Sequence, residues 1–366
     1  MNTDLQQQIA LSLLPNIGRK RMRTILNHTE SLDHFFKAKK KDFLEISGFG
    51  EHLIRKMNRD LALKLAEPFA EYFLKSSFQT HFFQNENFPK RLNECIDAPL
   101  LLFSSGEMDF NVPKVVAIVG TRNASDYGKQ ICEELIQSFI GKNILVVSGL
   151  AYGIDIFVHQ LCVKYNIQTI GVLGHGLDRL YPSLHAKTAK EMQKNGGLLT
   201  EFLPGTNPDR ENFPMRNRIV AGMCDATIVV ESGIKGGSLI TADLANDYNK
   251  DVFAFPGDIT REFSKGCNFL IQKDKAHLIT GSKDFFKLMN WEDSSAKKSI
   301  QFDLFSDLSD DEKLIISKFK IKSENSFDEI MYLANLPFSK LSSSLLNLEF
   351  SGILKSYPGK IYKLNA

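Results

Sequence analysis

The feature that most constrains this chain is a succession of short apolar runs, most of which end on glycine or a small polar residue. Val115-Val-Ala-Ile-Val119 runs into Gly120, and Ile144-Leu-Val-Val147 into Ser148-Gly149. Thr169-Ile-Gly-Val-Leu173 runs into Gly174-His-Gly176, and Gly197-Leu-Leu-Thr-Glu201 follows. Ala226-Thr-Ile-Val-Val230 ends at Glu231-Ser-Gly233, and Val252-Phe-Ala-Phe255 at Pro256-Gly257. Runs this short are strands, and their unbroken apolarity means that both faces are covered. Helical stretches separate them, at 128–140, 153–165, 183–195, 214–223 and 238–249. Strand–helix alternation over residues 113–290 predicts an α/β fold with a doubly wound parallel sheet.

In such a sheet ligands bind beyond the carboxyl ends of the strands. The glycine-rich ends therefore converge on one rim, where backbone N–H groups and helix N-termini can approach an anion. One such glycine is a tight turn. Five together, with Arg122 among them, predict an anion site. It is not a standard nucleotide site. Gly174-His-Gly176 lacks the third glycine of GxGxxG, and Gly128-Lys129 is followed by Gln130 where a P-loop needs Ser or Thr. No zincin, nucleophile-elbow or paired-carboxylate motif stands out, so no catalytic residue, metal or cofactor is expected. His159 and His175 are read as structural.

A second cluster is Asp209-Arg-Glu-Asn-Phe-Pro-Met-Arg-Asn-Arg218. Arginine supplies forked donors to phosphate, and an exposed Phe213 can stack on an unpaired base. The same residues are equally compatible with a buried Phe213 and arginines paired to Glu201, Glu211 or Asp225. The residues alone leave both open.

Charge sharpens the question. Residues 1–70 hold 12 Lys/Arg against 8 Asp/Glu, residues 71–304 hold 25 against 27, and residues 305–366 hold 8 of each. A nucleic-acid site in the middle must therefore be a focused cluster. The five cysteines are spaced 30 or more residues apart, which excludes metal-ligand spacing and suggests reduced thiols of a cytoplasmic protein. No apolar run of membrane-spanning length and no signal-peptide pattern is present, so no membrane partner is expected.

The flanks read differently. Residues 1–70 suggest short helices punctuated twice, at Leu14-Pro-Asn-Ile-Gly-Arg-Lys-Arg and Ile46-Ser-Gly-Phe-Gly-Glu-His-Leu. That is a helix-hairpin-helix (SAM-like) pattern, whose turns face either a phosphate or another protein. Residues 71–112 connect to the sheet, with Pro99-Leu-Leu-Leu-Phe103 expected to pack on it as an edge strand. Residues 291–308 read as a linker. Residues 309–366 read as three helices and two short strands around Pro358-Gly359, a winged-helix pattern with a third helix at Pro337–Phe350.

Several of these stretches resemble one family. Gly120-Thr-Arg-Asn-Ala-Ser-Asp-Tyr-Gly128 is similar to the GSRxxSxYG element of DprA/Smf proteins, and Ser148-Gly-Leu-Ala-Tyr-Gly-Ile-Asp155 to their SGxAxGID. Gly174-His-Gly-Leu-Asp-Arg-Leu-Tyr-Pro182 resembles GxGxDxxYP, and Phe213-Pro-Met-Arg-Asn-Arg-Ile-Val-Ala-Gly222 resembles FPxRNRIIAGL. Gly237-Ser-Leu-Ile-Thr241 and Phe253-Ala-Phe-Pro-Gly257 complete the series in order. Departures are Thr121 for serine, Thr200-Glu201 for Ser-Glu, Lys235-Gly236-Gly237 for the usual Ser-Gly-Ser surround, and Ile-Phe-Val-His159 after Asp155.

The resemblance implies an extended Rossmann-like domain over 71–290 that binds single-stranded DNA, forms a homodimer and loads RecA during natural transformation. It implies a site on Gly120, Thr121, Arg122, Ser125, Gly149, Gly153, Gly174, Arg210, Phe213, Arg216, Asn217, Arg218, Gly237 and Ser238. Arg122 matches the family's phosphate-contacting arginine, and Arg210 lies where the family places a basic contact. Phe213 matches its base-stacking aromatic. The dimer surface is expected at 238–249 and 252–255, on the premise that late strands leave an open edge.

Two other readings are weaker. A phosphoribohydrolase on a related fold needs a glutamate where this chain has Thr241, which cannot transfer protons that way. A transcription factor would read DNA through 337–350, yet that stretch carries Lys340 as its only cation.

Overall fold

The computed structural model describes residues 3–292 and 308–364, apart from positions 16, 30, 47, 320–323, 352 and 358. The chain forms two compact units, residues 1–285 and 286–366. The first opens with five helices: α1 (Thr3–Ser12), α2 (Arg19–Thr29), α3 (Leu32–Lys37), α4 (Glu51–Lys56) and α5 (Arg59–Lys75). Each glycine punctuation of the sequence immediately precedes a helix, α2 or α4. The sheet region then runs β1 (Gln79–Phe82), α6 (Lys90–Asn93), β2 (Leu101–Ser105), β3 (Lys114–Val119), α7 (Asp126–Ser138), β4 (Ile144–Ser148), α8 (Ile154–Lys164), β5 (Thr169–Val172), α9 (Ala186–Met192) and β6 (Gly196–Thr200). It continues with α10 (Asn212–Gly222), β7 (Ala226–Val229), α11 (Gly237–Asp247), β8 (Asp251–Ala254), α12 (Lys265–Gln272), β9 (His277–Leu278) and α13 (Ser282–Leu288).

Nine strands form one sheet in the order β1-β2-β6-β5-β4-β3-β7-β8-β9. From β6 to β9 every neighbour is parallel, while β1 and β2 add antiparallel pairs at one side. The order reverses at β3. From there β4, β5 and β6 run outward on one side, and β7, β8 and β9 on the other. Val119 of β3 lies opposite Val229 of β7, so the loops leaving these two strands flank the topological switch point. Every residue of β4, β5, β6 and β7 is buried, as their unbroken apolar runs require. α7 buries Ile131, Cys132, Leu135 and Ile136, one stripe at helical spacing, and starts where the Ser125 hydroxyl accepts from Gly128 N at 3.2 Å.

Four expectations for the first unit change. The run 99–103 is one strand in from the edge, because Gln79–Phe82 pairs outside it. The edge premise for the dimer surface fails, because β9 pairs beyond β8. The stretch 183–195 is a 3-10 turn, Ser183–His185, followed by the shorter α9; the buried His185 bonds Leu150 O at 2.9 Å there. The boundary at 70 falls inside α5, which continues to Lys75 because Phe73 stacks flat on Phe103 of β2, centroids 4.3 Å apart. One hydrophobic core runs from Leu5 through the sheet to Ala276.

The second unit holds α14 (Asp310–Phe319), β10 (Glu324–Ser326), α15 (Phe327–Ala334), α16 (Phe338–Phe350), β11 (Leu354–Tyr357) and β12 (Ile361–Leu364). Its antiparallel strands order β10-β12-β11, one strand more than the sequence suggested. Ser326 and Glu329 form a reciprocal capping box at α15. Ile315, Ile330, Leu341, Leu345 and Leu348 make its core. Most of the expected linker, 293–307, lies outside the described residues.

Candidate nucleic-acid interface

The carboxyl ends of the central strands open into a cleft of about 990 Å³. Its walls come from the loops after β3 (Gly120, Thr121, Arg122), β4 (Gly149, Ala151), β7 (Gly233 to Ser238) and β8 (Thr260, Glu262, Lys265), with Phe213, Arg216 and Asn217 of α10 across from them. Four cations face it, Arg122, Arg216, Lys235 and Lys265, against the carboxylates of Asp155 and Glu262.

The loop after β3 is held from behind. Glu231 is buried and accepts from the Ser125 backbone at 3.0 Å and hydroxyl at 2.5 Å. A methyl group on Gly128 would lie 2.2 Å from Glu231 Oε2, so only glycine lets α7 approach that carboxylate. Thr121 N donates to Glu231 O at 2.8 Å, and Thr121 O accepts from Ile154 N at 3.1 Å. Gly153 has φ +77, and a Cβ there would meet Thr121 O at 2.2 Å. These contacts leave Arg122 exposed at the mouth, its guanidinium 5.6 Å from the centroid of Phe213. An exposed cation–π contact of this kind is worth about 0.5–1 kcal/mol, enough to bias the pair toward one orientation. Phe213 is half-buried and rests over Gly174, whose added Cβ would lie 3.3 Å from the ring.

The floor is Arg216, 5% exposed, with Nη1 donating to Val172 O at 3.1 Å. The buried Asp155 accepts from Gly149 N at 3.1 Å and Ala151 N at 3.4 Å. Burial pushes the Asp155 carboxyl up and the Arg216 guanidinium down to about 10, and each charge opposes the other's shift. At that value Arg216 remains a cation at neutral pH. Its Nε has no partner among the described residues. A Cβ on Gly149 would fall 1.7 Å from Arg216 Nη1, so this glycine makes room for the floor cation.

The wall after β7 is open. α11 starts at Gly237 on a Gly236 cap without a side-chain bond, so the orphan N–H groups of its first turn lie at the cleft. Ser238 is buried and donates to Ser232 Oγ at 2.8 Å. Asn217 Nδ2 reaches Gly237 O at 3.4 Å, linking α10 to α11.

The sequence-predicted residues thus divide. Gly120, Thr121, Arg122, Gly149, Phe213, Arg216, Asn217, Gly237 and Ser238 line the cleft. Ser125 and Gly153 brace it, and Gly174 lines the adjoining recess under Phe213. Arg210 is exposed on the loop ahead of α10, outside the cleft lining. Arg218 is not brought there. It is ion-paired with Glu201, bonded to Asp97 O, and lines a separate groove with Gly18 and Lys20 of the N-terminal helices. For Arg218, then, the ion-pair alternative describes the fold. Sequence reasoning passed over Asp155 and Glu231 as supports, and Lys265, which opens α12 eight residues beyond the Pro256-Gly257 motif.

The buried histidines bond backbone groups or a neighbouring hydroxyl. His175 Nδ1 donates to Gly176 O at 2.9 Å and Nε2 accepts from Tyr181 N at 3.2 Å. The Thr169 hydroxyl donates to Val146 O, so His159 Nδ1 donates to Thr169 Oγ1 at 2.8 Å, and burial lowers the imidazole to about 3. All five cysteines are buried. Among the described residues no helix is long and apolar enough to cross a membrane.

Comparison with known proteins converges on one family. The profile of DNA recombination-mediator protein A matches residues 79–290. DNA processing protein DprA of Streptococcus pneumoniae is 40% identical over 197 residues, 54% of this chain and 69% of that protein. A crystal structure of DNA processing protein A from the same organism superposes with a TM-score of 0.66 at 32% identity, covering 78% of this chain and 98% of that one. DNA processing protein A of Helicobacter pylori, studied for its single-stranded DNA binding mode, gives a TM-score of 0.54 at 30% identity, over 60% of this chain and 98% of that one.

Proposed function

This chain belongs to the DNA recombination-mediator protein A family, and from that premise we propose that it binds single-stranded DNA in the switch-point cleft and hands the strand to RecA. The observation that carries this reading is the pairing of Arg122 with Phe213 at the cleft mouth. A phosphate finds a forked cation there, and the neighbouring base finds a ring face. A duplex keeps its bases stacked inside and offers the ring nothing, which favours a single strand. Arg216 and the start of α11 add positive potential deeper in.

The role is positioning, without catalysis. Thr241 lines the cleft where a phosphoribohydrolase would carry its glutamate. The protein acts in the cytoplasm, in natural transformation, as a homodimer whose two clefts share one strand and gain affinity through effective concentration. The chain is read as a helical N-terminal domain of helix-hairpin-helix type, an extended Rossmann-like domain and a C-terminal winged helix. Among the described residues, three helices and a three-stranded antiparallel sheet support the last of these. Arg210, exposed beside the cleft, serves as an outer phosphate contact.

The test is fluorescence anisotropy with labelled oligo-dT, titrated against salt, with a duplex of equal length as competitor. Strong single-strand preference with a clear salt slope is expected. Absence of binding at low salt, with nucleoside monophosphates binding instead, would assign the cleft to a small ligand.

A further inference from the structure

Tyr127, Tyr152 and Tyr181 are the exposed aromatic residues among the described residues 79–285. Tyr127 is committed, its hydroxyl donating to Pro256 O at 2.6 Å. The other two have no such tie among the described residues. They are 41% and 46% exposed, and they line one recess with Gly174, Pro182 and Phe213. That recess shares Arg122, Phe213 and Arg216 with the main cleft. The Tyr181 and Phe213 ring centroids are 6.5 Å apart.

Exposed rings lose little by being exposed singly, and most carry no function. Two features set this pair apart. They come from different rim loops, after β4 and after β5, yet share one recess beside the phosphate-facing arginine. Each is also held by a buried histidine. His175 Nε2 accepts from Tyr181 N at 3.2 Å. His185 bonds Leu150 O at 2.9 Å and meets the Tyr152 ring edge-on at 5.1 Å. A ring on an anchored backbone loses less freedom when it binds, which is what a binding platform needs.

We infer that Tyr152 and Tyr181 form a second base-stacking ledge, which extends the proposed site past Phe213 and takes the bases of nucleotides that leave the cleft. The inference rests on the single-strand reading and adds to it a direction for the strand, from Arg122 toward the loops after β4 and β5. Stacking tolerates any base, so the ledge adds length-dependent affinity without sequence preference.

The test compares wild type, a Tyr152→Ala/Tyr181→Ala double variant and a Tyr152→Phe/Tyr181→Phe control on labelled oligo-dT of increasing length, with melting temperatures in parallel. On long oligonucleotides the alanine pair is expected to bind about tenfold or more weakly, given the usual contribution of one stacked base. On the shortest oligonucleotides that fill only the cleft its affinity should match wild type. The phenylalanine pair should bind like wild type, because a ring without the hydroxyl still stacks. Unchanged affinity of the alanine pair at every length overturns the ledge, and so does an equal loss at every length. Oligo-dT carrying 5-iodouracil provides a readout on the unmutated protein: photocrosslinks at Tyr152 or Tyr181 support the ledge, and crosslinks confined to other residues overturn it. Wild type that fails to bind oligo-dT at all overturns the single-strand reading and the ledge with it.

Discussion

The two loops that flank the switch point are built on opposite plans. The loop after β3 is fixed from behind by a carboxylate of its neighbour, by a helix start and by a glycine that would clash as anything larger. The loop after β7 supplies that carboxylate and is pinned at Ser232, which bonds Phe263 O and Gly266 N, but its tip is open, with Lys235 and Gly237 exposed and nothing within 4 Å of a Cβ placed on Gly237. A rigid wall presents Arg122 in one place, and an open wall admits the ligand. Residues of one rim thus serve two purposes that their sequence signatures do not separate.

The largest effect that would sharpen this contrast lies in the floor shared by both walls. Arg216→Ala leaves Asp155 buried without its cation and is expected to cost about 3–5 kcal/mol in urea unfolding. A loss below about 1 kcal/mol would mean that Asp155 is already neutral and that the floor carries the charge of Arg216 alone. Next comes the rigid wall itself. Arg122→Ala is expected to weaken oligo-dT binding by about 1.5–3 kcal/mol with no change in folding, since the side chain is exposed. Full affinity in a folded variant would remove Arg122 from the interface. Phe213→Ala should cost about 1–3 kcal/mol of single-strand affinity and leave the melting temperature nearly unchanged. Unfolding instead would place the ring in the core, against its half-buried position.

A separate effect concerns the buried histidines. Burial holds His159 neutral down to about 3 and His81 to about 4, against an ordinary 6.5. The unfolded chain therefore takes up protons first as pH falls. Stability from these two groups is full above about 6.5 and is lost as pH drops toward their folded values. Urea midpoints measured across that window should decline with acid, and NMR should show the His159 ring untitrated at pH 5. Smallest is Gly237→Ala on the open wall, expected to change stability by less than about 1 kcal/mol because it meets open space at a helix start. A large loss there would erase the difference between the loops.

Much of the fold was legible because a parallel sheet buried on both faces leaves a plain mark, unbroken apolar runs at regular intervals. The strands from β3 to β8 fall within a residue or two of those runs for that reason. β1 and β9 were not legible. Gln79–Phe82 and His277–Leu278 are short, carry polar residues, and become strands by pairing with an edge already formed. The boundary expected at residue 70 failed for a related reason. Polarity and charge change there, but Phe73 stacks on Phe103, and that contact spans 30 residues of sequence.

By itself the sequence determined the sheet, its covered faces, the convergence of glycine loops on one rim, and the candidacy of Arg122 and Phe213. Those follow from local periodicity and from residue chemistry that acts wherever the residue lies. Tertiary structure alone decided which polar residues face the cleft and which hold it. Arg216 and Arg218 stand two positions apart in the same motif, yet one floors the cleft against Asp155 while the other pairs with Glu201 in a different groove. On a helix two residues apart are about 200° apart, so neighbours in sequence point to opposite sides. Which side meets a carboxylate depends on strands and loops brought together only by folding.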